Sequence, residues 1–163
     1  MLPHLDAAYN LARWLLRDDH DAEDIVQHAC LRAFDGFLKF RGGDTRAWLL
    51  TIVRNACFSF LRKRRQEDLQ SSESIDQQLI AAPDGQHDPH LALLRRIDRE
   101  AMAAAIEQLP AVFREAFVLR EMDGLSYQQI ADVAGVPVGT IMSRLARARQ
   151  RLQEMLSNPV NEQ

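Results

Sequence analysis

Along most of this chain apolar residues recur three and four positions apart, the spacing of one face of an α-helix, and no run alternates at period two. Leu5, Ala8, Tyr9, Ala12, Leu15 and Leu16 mark a first stripe. Ala22, Ile25, Val26, Ala29, Cys30, Ala33, Phe34 and Phe37 mark a second, about four turns long. Gly42 and Gly43 interrupt the pattern, and Asp44 stands where it can cap the helix that follows. The third stripe, Leu49, Ile52, Val53, Ala56, Cys57 and Phe60, runs into the cluster Arg62-Lys63-Arg64-Arg65. Three helices with short connections suffice for a small bundle.

Residues 66–90 are polar and acidic, carry no sustained apolar face, and end in Pro83, Gly85 and Pro89. They read as a linker, with a marginal surface helix over 73–82 as the alternative. Helical pattern resumes at Leu91. Leu94, Ile97, Ala101, Ala104 and Ala105 mark one helix, closed before Pro110, and Val112, Phe113, Ala116, Phe117 and Leu119 mark the next, ended by Asp123-Gly124. Ser126 with Gln129 three residues on is a capping box, opening a short helix with Ile130, Ala131 and Ala134. Gly135 makes the turn, Pro137 opens the last helix, and Ile141, Leu145, Ala148, Leu152 and Met155 give its inner stripe. The expected fold is all-α: two small helical bundles, 1–65 and 95–163, joined by a flexible acidic linker, 66–94.

Charge sharpens that division. The net charge of −3 hides seven basic residues against one acidic over 41–65, followed by six acidic and no basic over 66–90. Aromatics make up only 7% of the chain, so the cores are mostly aliphatic. No apolar run approaches the roughly 20 residues of a membrane span, so membrane insertion is not expected. The N-terminus lacks a basic flank and an apolar signal core, and Cys30 and Cys57 both lie inside periodic segments. Secretion and a disulfide framework are therefore not expected, and a reducing cytoplasm is. His87 and His90 are three apart but isolated in the linker, and no nucleophile–base or phosphate-cradling arrangement stands out. An enzyme, a cofactor and a metal site are not expected.

The helix faces carry the chemistry instead. A short helix with small Ala131, a turn at Gly135 and Ile141 six residues on fit a helix-turn-helix. With Ile141 inward, Gly139, Thr140, Ser143, Arg147 and Gln150 face outward, with Arg144 and Arg151 at the edge. From Gly139 to Arg151 there are four arginines and no acid. Short polar groups near the N-terminus suit base edges and the arginines suit phosphates, whereas the plain alternative is a solvated helix closing a bundle. On the third helix the outward stripe is Thr51, Arg54, Asn55, Phe58, Arg62 and Arg65, with Trp48 near its edge. An exposed ring among arginines and an amide is costly unless covered, and unstacked bases would cover it; packing against another helix is the structural alternative. The second helix presents Asp24, His28, Leu31 and Asp35, with Gln27 beside them, an acidic stripe suited either to docking a basic helical partner or simply to solvent.

Taken together, DAEDIVQHACLRAF with GDTRAWLLTIVRNACFSFLRKRR resembles region 2, and LPAVFREAFVLREMDGLSYQQIADVAGVPVGTIMSRLARARQRL resembles region 4, of the extracytoplasmic-function (group IV) sigma factors of bacterial RNA polymerase. The resemblance covers residues 4–65 and 95–156. It implies that Asp24, Val26, Gln27, His28 and Leu31 dock on core RNA polymerase. It implies that the segment from Trp48 to Arg65 opens and reads the −10 promoter element, with Trp48, Arg54, Asn55, Phe58, Ser59 and Arg62 at the strand. Thr140, Ser143, Arg144 and Arg147 would read the −35 duplex, and the linker would thread the polymerase cleft. His28 and Ser59 stand where the family more often has acidic residues.

The implied role is a dissociable specificity subunit for promoter DNA, held by an anti-sigma factor that covers Leu31, Phe58 and Trp48. A helix-turn-helix regulator acting on duplex DNA alone is the alternative, and it leaves the Trp48–Arg65 surface idle. The polar stretch 66–90, about 25 residues, reaches roughly 80 Å fully extended at ~3.3–3.6 Å per residue, yet spans only about 27 Å relaxed. The free chain is therefore expected to be compact with both DNA faces occluded, and stretched on polymerase.

Overall fold

The first three stripes fold into α1 (Leu5–Leu16), α2 (Asp19–Gly36) and α3 (Thr45–Gln70), which pack against one another in the computed structural model, where residues 4–40, 42–70 and 91–157 are described. Ala8, Leu11, Ala12 and Leu15 of α1 and Leu49, Leu50, Val53 and Cys57 of α3 are essentially inaccessible. The seam of α2 is made of small residues, Ala22, Val26, Ala29 and Ala33, which let the neighbouring helices approach closely. That seam corrects the expected core: Phe34 is 72% exposed and Phe37 46%. A step of 100° carries Phe34 past the edge of the seam. Phe37 instead joins Phe40 and Trp48 in a ring cluster where α2 meets α3, with Phe40 and Trp48 centroids 4.8 Å apart.

Local signals place the helix ends. The Asp18 carboxylate accepts from the Asp21 amide at 2.9 Å and Asp44 from the Ala47 amide at 3.2 Å, each satisfying a first-turn donor. Between α2 and α3 the backbone passes through φ values of 90° and 94° at Gly42 and Gly43, which favour glycine. Helix α3 runs on to Gln70, five residues into the stretch read as linker, and α4 opens at Leu91. The remainder of that stretch, 71–90, including the alternative helix over 73–82 and His87 and His90, lies outside the described residues.

The second half comprises α4 (Leu91–Glu107), α5 (Ala111–Phe117), α6 (Tyr127–Ala134) and α7 (Val138–Ser157), and no strand is formed among the described residues. At the end of α4 the buried residues are Ala105, Ile106 and Leu109, while Ala101 and Ala104, expected on the inner stripe, are exposed. A π-helical turn, Val118–Met122, continues α5; its wider winding lets the Asp123 amide reach the Val118 carbonyl at 3.2 Å. The two halves touch. Helix α6 lies on α3, and α5 lies on α1.

Candidate nucleic-acid interfaces

In the C-terminal half the helix-turn-helix is built as its sequence predicts. Ser126 and Gln129 close the capping box, with the Ser126 amide donating to Gln129 Oε1 at 2.8 Å and the Gln129 amide donating to Ser126 Oγ at 3.1 Å. Gly135 ends α6 at φ 72°. Ile141 is wholly buried and Ala131 nearly so, which seats α7 across α6. The outward stripe of α7 is open: Gly139, Ser143, Arg147 and Gln150 are exposed and Thr140 is half-buried. Its arginines differ in employment. Arg149 pairs with Glu121 at 3.0 Å and Arg151 lies over the Phe113 ring. Arg144 is half-buried and turned inward, with a terminal nitrogen that has no hydrogen-bond partner among the described residues. Arg147 stays on the open face.

Helix α3 presents a different surface. Asn55, Ser59 and Arg62 are exposed and stand together, Arg62 donating to Ser59 Oγ at 3.3 Å. Arg54 and Phe58, expected on the same outward stripe, are instead half-buried. The Arg54 guanidinium stacks on the Phe58 ring 4.4 Å from its centroid and donates to Asn55 Oδ1 at 3.2 Å. It also pairs through Nε with Glu115 Oε2 at 2.7 Å. Trp48 packs against Phe40, so its ring is partly spent within the bundle. The expectation that both nucleic-acid faces are occluded is thus corrected: α6 and α5 cover part of the α3 face, and the α7 stripe stays open.

Glu115 and its neighbour Arg114 sit at the contact between the halves, 0% and 5% exposed. Arg114 donates to the carbonyls of Leu15, Glu107 and Leu109, so one guanidinium serves the C-terminal ends of both α1 and α4, where helix carbonyls lack partners and the dipole favours a cation. Burial and the nearby Arg17 charge lower its pKa to about 10. Burial raises the Glu115 pKa, against the pull of the Arg54 hydrogen bond. Around them Arg17 donates to the Glu107 carbonyl at 2.9 Å, Arg46 to the Asp123 carbonyl at 3.2 Å, and Gln129 Nε2 to Asp44 Oδ2 at 2.7 Å. Two helix caps, Asp44 and Gln129, therefore also join the halves.

Comparison with known proteins accounts for both halves in order. Residues 2–67 match the Sigma-70 region 2 family and residues 99–152 the Sigma-70 region 4 family. The chain is 38% identical over 136 residues to the ECF RNA polymerase sigma factor EcfG of Rhodopseudomonas palustris, covering 83% of this chain and 71% of that protein. It belongs to the extracytoplasmic-function sigma factors. A second relative, the ECF RNA polymerase sigma factor SigE of Mycolicibacterium smegmatis, is 32% identical over 98% of this chain, which spans only 61% of that protein's length. Among solved structures, the sigma factor RpoE of Bartonella quintana in complex with the anti-sigma factor NepR aligns over 98% of this chain and 95% of its own, with a TM-score of 0.76 and 33% identity.

In this sigma factor the α2 residues expected from the sequence to dock on polymerase divide by face. Asp24, Gln27, His28 and Leu31 are exposed, Leu31 at 66%. Val26 is buried in the seam and supports that surface from behind. Phe34, one turn beyond Leu31 on the same open side, was missed as a surface residue because its spacing also fits the core stripe. Arg114 and Glu115 were missed because adjacent charges inside an apolar pattern read as solvated. Only the apolar residues flanking them hinted at burial.

Proposed function

We propose that this ECF sigma factor is a dissociable promoter-specificity subunit of RNA polymerase that acts by binding, in the cytoplasm, and carries out no chemical step itself. Residues 95–163 read −35 duplex through Thr140, Ser143, Arg144 and Arg147. Residues 1–65 capture melted −10 DNA through Trp48, Arg54, Asn55, Phe58, Ser59 and Arg62. Asp24, Gln27, His28 and Leu31 dock on core polymerase, with Val26 shaping the helix beneath them, and the stretch between α3 and α4 serves as the tether. The observation that carries this reading is the presence, on one chain, of two differently built basic faces. The α7 face offers small polar groups and an open arginine, suited to a groove, whereas the α3 face adds an aromatic ring and amide, suited to unstacked bases.

A few phosphate contacts per face give little affinity at physiological salt. Holding both faces on one rigid enzyme converts two weak contacts into a single avid, spacing-sensitive one. An anti-sigma factor, of the kind bound to the Bartonella relative, controls this chain by covering the docking and strand-binding surfaces, where Leu31 and Phe34 remain uncovered. Run-off transcription with purified core polymerase on genomic fragments tests the proposal. Initiation from discrete promoters only when the chain is added is expected. Tight duplex binding with no stimulation of core enzyme would replace it with the duplex-only regulator.

A further inference from the structure

We propose that Glu115 is an internal lock that holds the −10 surface shut in the free chain. The inference rests on the reading of α3 as the strand-binding helix. Glu115 lies in α5, in the half that faces −35 DNA, yet its buried carboxylate takes the guanidinium of Arg54 from the other half at 2.7 Å. For a guanidinium, a carboxylate oxygen and a phosphate oxygen are interchangeable acceptors. Glu115 therefore occupies the place of the nucleic acid, and Arg54 in that position is not free to grip a strand. The effect extends along α3, because the captured guanidinium stacks on half-buried Phe58 and donates to the exposed Asn55, so the groups of two further strand-binding candidates are engaged by it.

The contact is built to open. Its surrounding links run through arginines and amides to carbonyls and a carboxylate. Four of its buried polar atoms, Glu115 Oε1, Arg114 Nε, Asp123 Oδ2 and Arg144 NH1, have no hydrogen-bond partner among the described residues. Water would satisfy all four on separation, and a buried ion pair recovers on hydration much of what it gains by closing. Docking of the two halves at separate places on polymerase then needs to overcome only a shallow closed state. The lock makes strand capture conditional on polymerase, while the open α7 stripe leaves duplex contact unaffected.

Glu115→Gln keeps the shape and removes the charge, with Glu121→Gln, an exposed acid paired to Arg149, as the charge-matched control. Small-angle scattering of the full free chain should show expansion for E115Q but not E121Q. Binding of a fluorescent mixed-sequence single strand of about 16 nucleotides should tighten about tenfold for E115Q and stay within about twofold for E121Q, while duplex binding is unchanged. An E115Q chain as compact as wild type, or an expanded one with no gain in strand affinity, overturns the lock. Should E115Q fail to fold by circular dichroism, Arg54→Gln decides by scattering: expansion supports the lock and a compact chain overturns it. Run-off activity of the wild-type chain is measured alongside. Its absence would sink the polymerase-subunit reading, whereas an active wild type with an unmoved E115Q sinks the lock alone.

Discussion

Helices α3 and α7 both carry arginines on a face turned away from their own bundle, and they meet opposite fates. On α7 the outward stripe stays open, with Ser143, Arg147 and Gln150 exposed. On α3 the corresponding stripe is partly covered: α6 packs on the helix and Arg54 is drawn to Glu115, leaving its side chain 18% exposed, while Asn55, Ser59 and Arg62 stay open. The difference lies in the second partner rather than in the helices. Helix α7 has one apolar face and one set of neighbours, so its inner stripe exhausts what it can bury. Helix α3 has apolar residues on two sides, Leu49, Val53 and Cys57 toward α1 and α2, and half-buried Ile52 and Phe58 beyond them. A helix with two tacky sides invites a second partner, and its charges then find acceptors within the chain.

The sharpest test of that contrast removes the residue that fixes α7. Ile141→Ala should cost about 2–5 kcal/mol in the C-terminal half, read by chemical denaturation, because Ile141 is fully buried where α6 and α7 cross. Loss of −35 capture with polymerase docking retained is the expected division. Next in size, Arg147→Ala should weaken capture of promoter duplex by about 1–3 kcal/mol, whereas Phe58→Ala should spare duplex capture and reduce strand opening, followed by permanganate footprinting. Equal losses of duplex binding in both variants would abolish the distinction between the faces.

A smaller effect is expected at the turn itself. Gly135→Ala meets no neighbouring atom within 4 Å but must hold a φ of 72°, so its cost should be about 1–2 kcal/mol, confined to the C-terminal half. The gentlest probe changes no residue. Burial, with a contribution from Glu115, pushes the Cys57 thiol up to about 12 from an ordinary 9.0, so it should resist alkylation while half-buried Cys30 reacts first. The sign of the linked pH effect follows: above about pH 9 the unfolded chain ionises this thiol and the folded one does not, so stability should fall as pH rises from 9 toward 12. Reaction of Cys57 at neutral pH would show that the packing between α3 and its neighbours is looser than that of α7.

Much of this was legible along the chain. The inner stripe of α7, the capping box, the turn at Gly135 and the Asp44 cap are encoded within a few residues of where they act, so periodicity and turn chemistry suffice to find them. Phe34 was not legible in the same way. It falls at a spacing that fits the core, and only the narrow alanine seam of α2 shows that the stripe ends before it. Arg54 was placed on the correct face of its helix, yet its burial depends on Glu115, which lies 61 positions away.

Sequence alone therefore determined the helices, most of their inward faces, several of their ends and the family, because each rests on contacts between residues close in the chain or on patterns a family preserves. Tertiary structure decided which outward residues remain available. Burial of Arg54, Arg114 and Glu115 requires two halves to meet, and a charged side chain next to an apolar one reads identically whether it faces water or a partner. Electrostatic pairing is set by distance in space, and spacing along the chain carries no record of that distance when 61 positions separate the partners.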